Sequence, residues 1–264
     1  MSANTLFAKD IKAGYGDKTI LNSINIHIPE NKISVILGSN GSGKSTMLKT
    51  FCRLIRPTSG TVTLNDKPLT CLHSKDIAKA IGLLPQTNTA PEGIKVAELV
   101  SRGRYPHRKF MCPLTKEDYI AIEEAMEAMK ITDLADSCVD ELSGGQRQRV
   151  FIALALAQET DILFLDEPTT YLDIAYQIEI LDLLKDLNKK RGTTIVMVLH
   201  DINLSTKYAD YLFAMKNGHL IKEGTPNEII TEENIKEIYG INSVIVSDPI
   251  SGDPLVVPIS SHDM

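Results

Sequence analysis

The chain has 264 residues, of which 43% are hydrophobic and 23% charged, and its formal net charge at pH 7 is -6. This length and composition are typical of a soluble α/β protein, either one large domain or a domain with an insertion. The acidic balance disfavours a broad nucleic-acid-binding surface, which is normally basic. The longest clean apolar run, residues 150–157, is much shorter than the roughly 20 residues that a membrane-spanning helix needs.

Two strands are predicted near the start of the chain, over residues 6–13 and 20–28. The second alternates apolar and polar residues, and His27 is on its polar side, so we expect a solvated histidine and not a ligand. Tyr15 lies between the strands in a turn flanked by glycines. The first residues lack the basic start and apolar core of a signal peptide, and we expect none.

Residues 38–46 form the stretch that dominates the sequence. They read G-x-x-x-x-G-K-[ST], after an apolar run (33–37) typical of a buried strand and before a predicted helix (47–55). Such glycines let consecutive N–H groups point into one concavity, and the positive end of the following helix dipole suits a polyanion. We expect Lys44 to reach the β- and γ-phosphates of a nucleotide and the hydroxyl of Ser45 to bind Mg²⁺. The predicted phosphate loop consists of Gly38, Ser39, Asn40, Gly41, Ser42, Gly43, Lys44, Ser45 and Thr46.

The middle of the chain differs from its two ends. Strands are predicted over residues 61–64 and 81–84, and the following stretch contains prolines, glycines and basic residues. Helices are predicted over residues 96–101 and 116–130, the second amphipathic with an acidic face. We therefore predict a mainly helical insertion at 87–157.

The core is predicted to resume with apolar strands at 162–165 and 193–199, separated by a helix. Strands that alternate with helices indicate a parallel sheet with ligand chemistry at the carboxyl ends of the strands. Asp166 and Glu167 follow one strand, and His200 follows the other. A buried charge at Asp166 is costly unless a Mg²⁺ ion compensates it, whereas Glu167 is placed to act as a general base towards water. The alternative is an acidic pair in a turn before Pro168.

Residues 142–146 read Leu-Ser-Gly-Gly-Gln. Ser143 and Gln146 form a capping box at the start of a helix through residues 150–157. Two adjacent glycines weaken a first helical turn, so capping alone does not explain Gly144 and Gly145. Bare N–H groups at a helix start form a second anion site, and a symmetric pair of chains would let each copy close this site over the nucleotide held by the other.

The four cysteines, at positions 52, 71, 112 and 138, show no C-x-x-C spacing. This pattern predicts free thiols in a reducing cytoplasm, mostly packed as small hydrophobes, and makes a zinc site improbable.

Taken together, these motifs resemble the nucleotide-binding subunit of an ABC transporter over nearly the whole chain. Residues 38–46 match its Walker A motif, residues 142–146 its signature motif, and residues 162–166 with Glu167 its Walker B strand and catalytic glutamate. The resemblance implies an α/β fold: a P-loop NTPase core with a parallel central sheet, an antiparallel β subdomain and an inserted α-helical subdomain. It implies one ABC ATPase domain over 1–264, whose core comprises 1–86 and 158–240, followed by a β-hairpin extension at 241–264.

The resemblance also assigns roles to single residues. Gln86 matches the glutamine that contacts Mg²⁺ and the attacking water, and Asp173 matches the aspartate that bridges the two subunits. His200 matches the histidine that contacts the γ-phosphate, and Tyr15 matches the aromatic residue that stacks on adenine. The implied catalytic residues are Lys44, Gln86, Glu167 and His200; the metal ligands are Ser45, Gln86 and Asp166; and the nucleotide contacts are the phosphate loop, Tyr15, Ser143, Gly144, Gly145, Gln146 and Asp173.

Three stretches resemble one branch of the family. Residues 102–107 are similar to a segment of importers of iron–siderophore complexes, haem and vitamin B12, and residues 167–177 and the C-terminal ribbon are similar to the siderophore branch. The basic residues of the first stretch could receive a short helix of a membrane subunit, or could simply form a solvated turn. These residues are Arg102, Arg104, Arg108 and Lys109.

We therefore expect an ATPase that powers an importer of iron–siderophore complexes. It would use ATP and Mg²⁺ as a homodimer at the cytoplasmic face of the cell membrane. It would act with integral-membrane permease subunits and, indirectly, a substrate-binding protein, and would bind no nucleic acid. The alternatives are an importer ATPase for haem or vitamin B12, a soluble ABC-type switch that is not involved in transport, and a non-hydrolysing transporter subunit.

Overall fold

The computed structural model describes residues 4–109 and 112–260. Residues 110 and 111 of the predicted insertion, and the ends of the predicted domain at 1–3 and 261–264, lie outside this part. The strands are β1 (Leu6–Tyr15), β2 (Lys18–Ile28), β3 (Ile33–Leu37), β4 (Ser59–Leu64), β5 (Lys67–Pro68), β6 (Ile81–Leu84), β7 (Ile162–Asp166), β8 (Thr194–Val198), β9 (Tyr211–Lys216), β10 (His219–Gly224), β11 (Ser243–Ser247) and β12 (Pro254–Pro258).

The helices alternate with these strands. They are α1 (Lys44–Phe51), α2 (Ser74–Ala80), α3 (Val96–Ser101), α4 (Lys116–Ala128), α5 (Gly144–Leu156), α6 (Ile174–Arg191), α7 (Ile202–Tyr208), α8 (Pro226–Ile229) and α9 (Glu232–Tyr239). Among the described helices, none is both long enough and apolar enough to cross a membrane.

The chain forms two compact units, residues 1–71 with 194–264 and residues 72–193. In the first unit, β3 pairs in parallel with both β8 and β9, and β10 pairs antiparallel with β9. All five residues of β3 and all five of β8 are buried, which suits the continuous apolar sequence of strands covered on both faces. A separate antiparallel sheet has the order β2-β1-β4-β5, and β11 pairs antiparallel with β12 as a C-terminal ribbon.

In the second unit, β6 and β7 are parallel, with Leu84 opposite Leu165. Helices α3, α4 and α5 pack on one another. Their contact faces contain buried apolar side chains at helical spacing, for example Val96, Leu99 and Val100 in α3. This packing accounts for the amphipathic pattern of the middle of the chain.

Two predicted boundaries need correction. The first helix covers residues 44–51 and not 47–55, because Arg53 adopts a left-handed φ of 56° and the N–H groups of Leu54 and Ile55 turn back to the carbonyl oxygen of Lys49. Tyr15 ends β1 and pairs with Lys18, so the turn begins one residue later.

The cysteines are free, but their predicted packing is wrong. Cys71 and Cys112 are exposed, while Cys52 and Cys138 are half-buried. Cys71 ends a short 3₁₀ turn and Cys112 lies in an irregular segment, so neither has a helix or strand face to bury it. His27 is exposed on β2, as predicted, and stacks on Phe7.

Candidate functional site

The phosphate loop connects β3 to α1 in the first unit. Gly38 has a φ of 147°, and a Cβ atom at this position would lie 2.3 Å from the carbonyl oxygen of Met215, so the loop passes too close to β9 for any side chain. Gly41 and Gly43 also have positive φ values, 79° and 105°. These left-handed conformations favour glycine over any residue with a side chain.

The ammonium group of Lys44 lies inside this loop. Its Nζ donates to the carbonyl oxygens of Gly38, at 2.8 Å, and Ser39, at 3.1 Å, and the residue is only 6% exposed. Among the residues that the structure describes, none is a hydrogen-bond partner of the buried Oγ of Ser42. Gly43, which precedes α1, supplies no side-chain cap. A buried lysine, an unsatisfied hydroxyl and an uncapped helix start fit a phosphate group.

His200 and Tyr15 lie in the same unit as the loop. Ile36 is opposite Val198 in the parallel β3–β8 pair, the loop follows β3, and His200 lies two residues after the end of β8. The carboxyl ends of neighbouring parallel strands lie at the same edge of a sheet, so the histidine and the loop share this edge. Tyr15 is 53% exposed at the end of β1, where its ring is accessible for stacking.

In the second unit, Gln86 and Glu167 are in contact. They follow β6 and β7, and the amide Nε2 of Gln86 donates to Oε2 of Glu167 at 2.6 Å. The hydroxyl of Thr170 donates to the same carboxylate oxygen at 3.1 Å. The two hydrogen bonds hold the carboxylate in one orientation, because both donors meet the same oxygen atom.

Two further acidic residues flank Glu167 in the sequence. Asp166, the last residue of β7, is 2% exposed and therefore lies where a carboxylate meets a bound cation or internal donors. Asp173 is exposed and is the N-cap of α6, where its carboxylate accepts from the N–H of Tyr176 at 3.4 Å. This cap leaves much of the carboxylate open to solvent.

The signature segment starts α5 with the predicted capping box. The N–H of Gln146 donates to the hydroxyl oxygen of Ser143 at 3.3 Å, and the N–H of Ser143 donates to Oε1 of Gln146 at 3.1 Å. Ser143 and Gly144 are exposed, whereas Gly145 is buried against the ring of Tyr176. The segment therefore presents Ser143 and Gly144 to solvent.

The predicted site residues thus fall into two groups. One unit contains Tyr15, the phosphate loop and His200, and the other contains Gln86, Asp166, Glu167, residues 143–146 and Asp173. Within the groups, Lys44 meets the loop carbonyl oxygens, Gln86 meets Glu167, and Ser143 meets Gln146. Asp173 contacts none of the other predicted residues in the hydrogen bonds of its cap.

Sequence reasoning missed Thr170 and Tyr176. Thr170 is three residues after Glu167, and a hydroxyl at that spacing in a turn is a local signal that could have been used. Tyr176 contacts Gly145, 31 positions earlier, and no local pattern indicates such a contact.

The basic residues after α3 do not act as one group. Arg104 is 3% exposed and donates to Asp118 and to the carbonyl oxygen of Ala157. A solvated turn is therefore wrong for this residue, because its partners lie in the packed helical region. Arg102 is exposed. The remaining basic side chains border an open groove of about 610 Å³ whose lining is Ser74, Lys75, Ala78, Tyr105, Pro106, Arg108 and Lys109.

Comparison with known proteins agrees with this geometry. The sequence profile of the ABC transporter family matches residues 21–170. The chain is 47% identical to the ferric enterobactin transport ATP-binding protein FepC of Escherichia coli (strain K12), over 98% of this chain and 95% of FepC. It is 48% identical to the iron(3+)-hydroxamate import ATP-binding protein FhuC of Bacillus subtilis (strain 168), over 96% of this chain and 94% of FhuC.

A solved structure shares the fold. It is the dimeric post-hydrolysis state of the ATP-binding cassette MJ0796 bound to ADP and Pi, with a TM-score of 0.71 and 30% identity over 83% of this chain and 98% of that one.

Proposed function

The chain belongs to the ABC transporter family, and from this membership we propose that it is the ATP-hydrolysing subunit of an importer of iron–siderophore complexes. The contact between Gln86 and Glu167 carries the hydrolytic part of the proposal, because it holds a carboxylate ready at the end of a buried strand. The likeness to FepC and FhuC, over almost the full length of each, supports the class of cargo.

In this function the phosphate loop binds the nucleotide. Backbone N–H groups of the loop after Gly38 face the phosphates. Lys44 leaves its contacts with the carbonyl oxygens of Gly38 and Ser39 to meet phosphate oxygens. Tyr15 stacks on adenine. The buried hydroxyl of Ser42, which has no partner within the described part of the chain, gains one in a phosphate oxygen.

Ser45, Gln86 and Asp166 are the residues that would hold Mg²⁺. Their hydroxyl, amide and carboxylate oxygens are hard ligands of the kind that this ion prefers. When bound, Mg²⁺ neutralises charge on the β- and γ-phosphate oxygens.

Glu167 acts on the attacking water. Its carboxylate accepts a proton as the water oxygen forms its bond to the γ-phosphorus and the bond to ADP breaks. Gln86 and Thr170 keep the carboxylate in one orientation, and His200 contacts the γ-phosphate. Lys44 stabilises the charge of the transferring phosphoryl group.

A second copy of the chain completes the site. In a head-to-tail pair, Ser143, Gly144, Gly145 and Gln146 of one copy close over the nucleotide held by the other, and Asp173 bridges the copies. The exposure of Ser143, Gly144 and Asp173 in the single chain supports this arrangement. Hydrolysis reopens the pair.

The movement is passed to membrane permease subunits. The insertion at 87–157 and Gln86 provide the connection, and the groove bordered by Lys75, Arg108 and Lys109 receives a short helix of the permease. A substrate-binding protein delivers the iron complex to the permease at the opposite face of the membrane. This assembly places the chain on the cytoplasmic face of the cell membrane.

The Glu167→Gln variant tests the hydrolytic assignment. The amide keeps the acceptor oxygen that Gln86 needs but takes up no proton, so we expect phosphate release to fall by at least about 100-fold while ATP binding persists. Size-exclusion chromatography with ATP should then show a trapped dimer. The control is Glu127→Gln, an exposed glutamate of α4 that should leave turnover unchanged.

The cargo is tested on the assembled transporter. Co-purification with the permease, followed by hydrolysis assays with receptor loaded with a ferric siderophore, haem or vitamin B12, should show stimulation by the siderophore complex. Stimulation by haem or vitamin B12 instead would reassign the cargo. Unchanged turnover in Glu167→Gln would remove the assignment of Glu167 as the general base. An ATPase that joins no permease would favour the soluble switch.

A further inference from the structure

A tyrosine far along the chain contacts the first residue of the phosphate loop. The N–H of Gly38 donates to the hydroxyl oxygen of Tyr239 at 3.2 Å, and the two residues are separated by 201 positions. Both belong to the first unit. Tyr239 is the last residue of α9 and is half-buried.

Gly38 also forms a hydrogen bond with Lys44. The carbonyl oxygen of Gly38 accepts from Nζ of Lys44 at 2.8 Å. On its other side Gly38 has no room, since the carbonyl oxygen of Met215 lies within 2.3 Å of the position of a Cβ atom. Gly38 is therefore confined between β9 and the hydroxyl of Tyr239. Its N–H group contacts Tyr239, and its carbonyl oxygen contacts Lys44.

Helix α9 is firmly seated, so the hydroxyl has a defined position. Ile235 and Ile238 are buried on its inner face. Nζ of Lys216, the residue after Met215, donates to the carbonyl oxygen of Glu237 in the last turn of the helix. Gly240, with a φ of 74°, then ends the helix immediately after Tyr239. The same short segment of β9 thus contacts both the glycine and the helix that carries the tyrosine.

The chemistry of the hydroxyl suits this role. Burial raises the pKa of Tyr239 to about 12, and the hydrogen bond from the Gly38 N–H lowers it only in part. The hydroxyl is therefore protonated throughout the physiological range. Its oxygen serves as a neutral acceptor that does not add negative charge beside a phosphate site.

We propose that Tyr239 is a positioning residue for nucleotide binding: its hydroxyl fixes the first peptide of the phosphate loop. This inference rests on the proposed function, which makes the loop a phosphate site. The inference assigns α9 a role in ATP affinity, although α9 contains none of the sequence motifs described above. Because the Tyr239 hydroxyl meets the backbone of the loop, we expect it to affect binding and not the chemical step.

The test is Tyr239→Phe in the full chain, which removes one oxygen atom and keeps the ring. A net hydrogen bond of ordinary strength corresponds to about a 3- to 10-fold change in an equilibrium constant. We expect the Kd for Mg·ATP to rise by this factor, with kcat at saturating ATP within about twofold of the wild type. In the nucleotide-free protein, hydrogen exchange of the Gly38 amide should accelerate, while the amides of Val35 and Ile36 in β3 keep their wild-type rates.

The matched control is Tyr211→Phe, which removes a hydroxyl from a ring in the same unit that packs on Phe213. It should change neither the Kd nor the exchange of Gly38. Wild-type Kd and Gly38 exchange in Tyr239→Phe would overturn the inference, and so would equal effects in both variants. If the wild-type chain neither binds nor hydrolyses ATP, the proposed function fails, and Gly38 exchange alone still decides whether Tyr239 holds the loop.

Discussion

Arg104 illustrates how much one side chain can do away from the nucleotide. Its Nε donates to Oδ1 of Asp118 at 2.8 Å, and its Nη1 donates to the carbonyl oxygen of Ala157 at 2.7 Å and to Oε2 of Glu159 at 2.6 Å. Asp118 in turn accepts from the N–H of Thr115 in the capping box of α4. The guanidinium of Arg104 therefore connects the segment after α3 to the first turn of α4 and to the end of α5.

The acid stability of the protein should depend on Asp118. Burial alone raises the pKa of this carboxyl, but the hydrogen bonds from Thr115 and Arg104 outweigh that effect and hold the pKa below its usual value. A lowered pKa in the folded state contributes stability above the unfolded pKa of about 3.9, and this contribution is lost as the pH falls through the folded value. We expect Asp118→Asn to cost about 3 kcal/mol at pH 7 and the difference from wild type to shrink below about pH 4.

Urea unfolding at a series of pH values between 3 and 7 measures this difference. Asp133→Asn, which alters an exposed carboxylate of the same unit, serves as the control and should stay close to wild type at every pH. A cost of Asp118→Asn that is the same at pH 3 and pH 7 would contradict the assignment.

The start of α5 and the start of α6 support each other. A Cβ atom on Gly145 would lie 2.8 Å from Cδ1 of Tyr176, whereas one on Gly144 would meet only Leu172, at 3.8 Å. Arg149 forms an ion pair with Glu179 further along the same two helices. The two glycines of the signature therefore have different reasons to be glycine: Gly145 makes room for a ring, and Gly144 leaves a bare backbone at the surface.

Separate alanine substitutions should reveal this difference. Gly144→Ala places a better helix former in open space, so its free energy of unfolding should equal that of the wild type or exceed it by up to about 1 kcal/mol. Its ATP turnover should nevertheless be reduced. Gly145→Ala should destabilise the protein by about 1–3 kcal/mol because the tyrosine ring must move. Chemical denaturation and phosphate release measure the two effects.

Adding Tyr176→Ala to Gly145→Ala should recover part of the lost stability. Wild-type turnover in Gly144→Ala would show that the exposed glycine has no role in the proposed dimer.

Across the whole chain, ATP is expected to act as a stabilising ligand. At about 100 times its Kd, a ligand that binds only the folded state adds about 2.7 kcal/mol, which for a chain of this size raises the Tm by roughly 5–10 °C. The Glu167→Gln background prevents turnover during a thermal scan. Adding Lys44→Ala, which removes the ammonium group from the loop, should abolish the ATP-dependent rise, and a persistent rise would place the nucleotide elsewhere.

The sequence predicted the local parts of this structure well, for physical reasons that can be named. Continuous apolar runs identified β3 and β8, and the spacing of Ser143 and Gln146 identified a capping box, because each signal lies within a few neighbouring residues. The family resemblance supplied the order of the motifs, and the family assignment is confirmed.

Contacts between distant positions escaped the sequence analysis. Arg104 was grouped with exposed basic residues, although its partners are 14 and 55 positions away. Tyr239 and Tyr176 had no recognisable pattern at all. Such contacts depend on how helices pack, and neither residue type nor local spacing encodes them.

The exposed thiols of Cys71 and Cys112 have a practical consequence. One lies in each unit of the chain, whereas burial raises the pKa of the Cys52 thiol and slows its reaction. After Cys138→Ser, spin labels or fluorophores attached to the two natural cysteines would form a distance ruler across the molecule. The two natural thiols are therefore sufficient to follow, in real time, how the distance between the units changes as ATP is consumed.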